Sequence, residues 1–184
     1  MAMRQPRLFT AADLASMPDD GQRYEIVRGE LFVSPSPAMR HQRIVMRLAL
    51  VLARYLERHG LVDQLLASPL DITLSRDTVV QPDLFVADTA AGDRTGKATD
   101  VTTLFLVIEV ISRSSARTDR ADKREEYQKY GIPTYLIVDG DQRHVEVWTP
   151  EANAPTIERE RLTWRHPALA DECVIDLVKL FDFG

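Results

Sequence analysis

The stretch Phe105–Ser112, FLVIEVIS, decides how the rest of the chain is read. It places large apolar residues on both faces of an extended segment, the signature of a strand buried on both sides of a sheet. One carboxylate, Glu109, stands in its middle. An ionised carboxylate is costly to bury, so Glu109 must be paired, protonated or bound to a cation.

Working outward, VVQPDLFVAD (Val79–Asp88) reads as a short strand interrupted at Gln81-Pro82, with Asp83 immediately after the break. A proline there marks a strand edge or bulge, where a side chain can be re-aimed. Downstream, Ser112–Thr118 is a short polar connection into a charged helix, Asp119–Tyr130, closed by Gly131 and Pro133. Asp119, Lys123 and Tyr127 are spaced by four and share one face of it. TYLIVD and HVEVW then form a hairpin around Gly140-Asp141. Glu109 therefore has an acidic neighbour upstream and a cationic one downstream.

The flanks complete the pattern. Thr10 is placed to cap a short helix, AADLASM, that stops near Pro18. YEIVRGELFVSPSP is a hairpin turning at Arg28-Gly29, with Glu25 and Glu30 on either side. Met39–His59 is the clearest helix, its apolar residues recurring every three or four positions and Gly60 ending it. His41 lies in its first turn, and Arg40, Arg43, Arg47, Arg54 and Arg58 line much of its other side. Leu70–Leu74 alternates weakly, Thr89–Thr103 is a polar loop, and VIDLVKLFDF closes the chain as an apolar cap. In that loop GDRTGKAT mimics a phosphate loop but is one residue short, with Ala98 where a magnesium-holding hydroxyl belongs.

At 184 residues, with 45% hydrophobic and 28% charged content, the chain suits one domain with a sizeable core. The expectation is a single domain over 1–184, with an irregular extension over 1–22 and a cap over 150–184. A single cysteine, Cys173, excludes an internal disulfide and a cysteine-rich zinc site, and reads as a small buried hydrophobe. No apolar run is long enough to span a bilayer and the start has no signal-peptide core, so the expected compartment is the cytoplasm, away from membranes. The net charge of −5 means that a nucleic-acid partner must meet a local basic patch. Arg113–Lys129 holds six basic residues against four acidic ones, which reads first as a solvated helix.

Two carboxylates on neighbouring buried strand ends attract a hard divalent cation, and magnesium keeps several waters, so few protein ligands suffice. The order of these residues resembles the PD-(D/E)XK nuclease superfamily and, more closely, the bacterial Uma-type family of restriction-endonuclease-like proteins. The resemblance runs from about Tyr24 to Trp148. It rests on YEIVRGELFVSPSP followed by His41, on VVQPDLFVAD, on LVIEVISRSS, and on D-x-x-x-K-x-x-x-Y before GIPTYLIVD.

What the resemblance implies is an α/β restriction-endonuclease-like fold, a central mixed sheet flanked by helices, hydrolysing DNA phosphodiesters with Mg2+ or Mn2+. By the same resemblance Asp83 and Glu109 are metal ligands, the backbone carbonyl of Val110 is a further one, and Glu30 completes the set with Glu25 as its competitor. Ile111 stands where the superfamily's simple motif has lysine, and Lys123 takes over that role in the Uma-type pattern. His41 belongs at the rim, with Asp119 and Tyr127 as supporting groups. Such folds are often dimers, and a homodimer would let two sites address two strands. The rival reading is a catalytically silent module that binds nucleic acid or protein, in which Glu109 and Lys123 form a structural ion pair. On the nuclease reading, Asp83→Asn or Lys123→Ala keeps the fold and loses cleavage.

Overall fold

The computed structural model describes residues 8–89, 103–112 and 115–183. A short helix α1 (Ala11–Leu14) leads to the hairpin β1 (Arg23–Val27) and β2 (Glu30–Ser34). Its two-residue turn is Arg28-Gly29, and both residues have positive φ, 52° and 78°. That is the twist-matched turn of tight hairpins, and Gly29 supplies half of it without steric cost. Next come α2 (Met39–Glu57), β3 (Leu65–Ala67), β4 (Ile72–Ser75), β5 (Thr78–Val80), β6 (Leu84–Ala87) and the central strand β7 (Leu104–Ile111). GDRTGKAT lies outside the described residues.

Two sheets result. The smaller has the order β2-β1-β5-β4. The larger adds β8 (Tyr135–Asp139), β9 (His144–Trp148) and β10 (Thr156–Glu158) in the order β10-β9-β8-β7-β6-β3. Among the described strands only the β7–β8 pair is parallel, so this is the expected mixed sheet with FLVIEVIS inside it. VVQPDLFVAD is more than one interrupted strand: β5 belongs to the smaller sheet and β6 to the larger, and Gln81–Asp83 crosses between them. Proline suits that crossing because no ladder partner asks for its missing N–H.

One face of the larger sheet is covered by α2, by the hairpin of β11 (Arg161–Trp164) and β12 (Cys173–Asp176), and by α5 (Leu177–Leu180). The expected terminal cap thus divides into a strand and a helical turn, and Cys173 is buried in it. Ile44, Leu48, Leu52, Tyr55 and Leu56 form the inward stripe of α2. Leu48→Ala will cost about 2–5 kcal/mol in chemical denaturation, since Leu48 is wholly buried among neighbours that cannot collapse onto the void.

The other face carries a second core around Val107, Tyr127, Tyr135 and Trp148. Over it runs a composite helix in place of the regular one expected at 119–130. A turn of α3 (Ala116–Thr118) is followed by a π-helical turn, Asp119–Lys123, and then by α4 (Arg124–Lys129). Such π turns recur at functional sites because they re-aim side chains along an otherwise regular helix.

Candidate active site

Four carboxylates meet beside the middle of β7. Leu84 of β6 pairs with Ile108, and one step further along the same antiparallel register stands Asp83, next to Glu109. Asp83 Oδ2 accepts the N–H of Val110 at 2.8 Å and lies 3.1 Å from His41 Nε2. Its Oδ1 accepts from the Arg23 guanidinium at 3.0 Å. Glu109 is 1% exposed and Lys123 2%. The ammonium of Lys123 lies 2.9 Å from Glu109 Oε1, 2.7 Å from Glu25 Oε1 and 3.3 Å from Asp119 Oδ1. Tyr127 Oη also donates to Glu109 Oε1, at 3.4 Å. Glu25 Oε1 accepts the N–H of Gln81, which ties the smaller sheet to the crossing.

Each element has a reason to deliver its residue. Period-two alternation puts Arg23 and Glu25 on one face of β1. The proline break frees Asp83 to point along the strand end rather than into a ladder. The π turn brings Asp119 and Lys123 inward together, and Tyr135 Oη holds its first carbonyl, that of Asp119, at 3.0 Å.

The electrostatics follow. Burial pushes the Glu109 carboxyl well above its ordinary value, and the nearby Asp119, Asp83 and Glu25 push the same way, against the pull of Lys123. Burial likewise raises Asp119. Burial acts upward on Asp83 too, but the bond from His41, the charges of His41 and Arg23, and the Val110 N–H overcome it and hold Asp83 below its usual range. Burial would neutralise Lys123, yet Glu109, Glu25 and Asp119 keep it charged far up the scale.

These shifts act oppositely on stability. Below its ordinary value Asp83 contributes stability that is present above about pH 4 and lost as pH falls further. Glu109 and Asp119 bind protons more tightly folded than unfolded, so stability falls as pH rises from their ordinary values through their raised ones. In metal-free protein, thermal melts should therefore show Tm declining as pH is raised above about 4.5, and Glu109→Gln should flatten that decline.

The four carboxylates face two permanent cations, Lys123 and Arg23, which leaves an excess of two negative charges when His41 is neutral and all four are ionised. Oxygen donors in that imbalance suit a hard divalent ion. Among the described residues no group of three or more His, Cys, Asp or Glu side chains converges on one metal position.

A cleft of about 630 Å3 opens beside Asp83, the one carboxylate of the cluster that lines it. Asp83, Val110, His41, Arg23 and Gln81 line it, with Ser112 just past β7 and Ser115 at the start of α3. His41 Nδ1 is buried there with no hydrogen-bond partner among the described residues.

The placement of the expected residues divides cleanly. Asp83, Glu109, Lys123, Asp119, Tyr127, Glu25 and His41 come together. Glu30, expected among the metal ligands, does not: it is exposed at the start of β2, opposite Val27. The turn at Arg28-Gly29 reverses the chain, so the residue that reaches the cluster is Glu25, further back along β1. Because Lys123 is a buried counter-charge to three carboxylates, Lys123→Ala is now expected to cost stability as well as cleavage. The cations of the charged helix are mostly engaged within the fold: Lys129 with Glu126, Arg124 with Glu125 and over the Trp148 ring, Arg120 with Asp139 and Glu146. Arg113 lies outside the described residues. Sequence reasoning passed over Arg23, although its position two residues before Glu25 was the available signal.

The sequence profile of Uma2, described as "Putative restriction endonuclease", matches residues 11–176. The chain belongs to the Uma2 family. The Uma2 fold seen here is also that of a solved structure, "a putative nuclease belonging to DUF820" from Anabaena variabilis, at a TM-score of 0.72 and 17% identity, covering 94% of this chain and 97% of that one. No curated protein matches the sequence. Among the described residues of this Uma2 chain, no helix is long and apolar enough to cross a membrane.

Proposed function

We propose that this protein is a divalent-metal-dependent endonuclease that hydrolyses phosphodiester bonds in cytoplasmic DNA within a single restriction-endonuclease-like domain. The observation that carries the reading is the convergence of Asp83, Glu109 and Lys123, from three separate segments, beside a cleft that Asp83 itself lines. Asp83 and Glu109, with the Val110 carbonyl, would hold Mg2+ or Mn2+. That ion supplies an activated water and charge stabilisation at phosphorus. Lys123, kept protonated by its neighbours, acts as a hydrogen-bond donor and counter-charge rather than as a base. Glu25 and Asp119 hold its ammonium in place, Tyr127 braces Glu109, and His41 orients Asp83 at the cleft wall.

One observation favours the rival, a silent module binding nucleic acid or protein: Lys123 already sits among three of the carboxylates, as a structural ion pair would. Calorimetric titration with Mg2+ or Mn2+ separates the two. Binding to wild type that disappears in Asp83→Asn/Glu109→Gln supports the nuclease, and plasmid cleavage should follow the same pattern. Absence of binding to the wild type, with or without DNA, would leave the silent module.

A further inference from the structure

Glu109, Ile137 and Glu146 stand in register across β7, β8 and β9, so the two glutamates share one face of the sheet with a strand between them. The π turn lies over that face and sets one cation on each: Lys123 on Glu109 at 2.9 Å, and Arg120 on Glu146 at 2.6 Å. Arg120 also reaches Asp139, at the end of β8, at 2.9 Å. Asp139 is fixed in turn, since its Oδ1 accepts the N–H groups of Asp141 and Gln142. Trp148 Nε1 donates to the second oxygen of Glu146 at 3.4 Å. The planar guanidinium thus bridges two oriented carboxylates, a geometry that a lysine cannot reproduce.

We propose that Arg120 is a positioning residue for Lys123: its grip on Asp139 and Glu146 fixes the rotation of the π turn, and so aims the Lys123 ammonium at Glu109, Glu25 and Asp119. Arg120 and Lys123 lie on the same π turn, three residues apart, so the anchor on Arg120 sets the facing of that turn. The consequence for cleavage rests on the nuclease reading. The consequence for Lys123 does not.

The chain has four lysines, Lys97, Lys123, Lys129 and Lys179, so selective isotopic labelling of lysine gives a spectrum simple enough to follow each ammonium. Lys129 and Lys179 are largely exposed. In wild type, Lys123 should give one signal set apart and slow to exchange with water. In Arg120→Met it should move toward the exposed pair and exchange faster, under conditions where melts show the protein folded. Asp139→Asn/Glu146→Gln, which leaves Arg120 in place but removes its anchors, should do the same, and it decides the matter should Arg120→Met not fold. Arg120→Lys should fold and recover the signal only in part. A Lys123 signal unchanged in folded Arg120→Met or in the anchor variant would overturn the proposal. If the wild type cleaves DNA, kcat should fall about 100-fold in Arg120→Met with KM unchanged. Wild-type protein without cleavage would count against the nuclease reading and leave the lysine spectrum to decide this one.

Discussion

Replacing Lys123 with methionine will destabilise the protein by about 3–5 kcal/mol, the range seen when one partner of a buried ion pair is removed. The side chain fits the same space, so the loss is electrostatic: Glu25, Glu109 and Asp119 remain buried without their shared counter-charge. Urea denaturation at neutral pH measures it. Adding Glu109→Gln should return part of the loss, because one fewer buried charge is left uncompensated. A Lys123→Met protein as stable as wild type would mean that the carboxylates are already protonated or solvated.

The second large effect runs the other way in stability. Glu109→Gln keeps the shape of the side chain and removes the most deeply buried charge of the cluster. The metal-free variant should melt higher than wild type at neutral pH, while on the proposed nuclease reading DNA cleavage should fall by about 1,000-fold, the scale set by loss of a charge-stabilising group. Stability gained where activity is lost is the mark of a site whose repulsion is kept for use. Melting curves and plasmid nicking on the same preparation test both halves, and a variant that is both less stable and fully active would refute the assignment of Glu109.

Much of this was legible in the sequence, for physical reasons. FLVIEVIS announced a strand buried on both faces, and a lone carboxylate inside it demanded partners. Lys123 could be named because helical spacing grouped it with Asp119 and Tyr127. The choice between Glu25 and Glu30 was not legible: both flank the same turn, and only the pairing of β1 with β5 brings Glu25 to the cluster. Arg120 was hidden for a similar reason. In a run of alternating charges nothing local distinguishes a solvated arginine from one that spans two carboxylates on strands 19 and 26 residues further on. The π turn was invisible too, since its extra residue per turn leaves no mark in composition. Crossing from one sheet to the other at Gln81–Asp83 depended on which strands had already claimed the ladder positions.

That crossing makes three residues a ruler for the whole centre. Gln81 is fastened through its N–H to Glu25, and Asp83 through its carboxylate to Val110. An inserted residue would lengthen the span by roughly 3.3 Å, more than the length of either bond. A single insertion between Val80 and Leu84 cannot be absorbed, and chain length, rather than side-chain chemistry, is what this segment is held to.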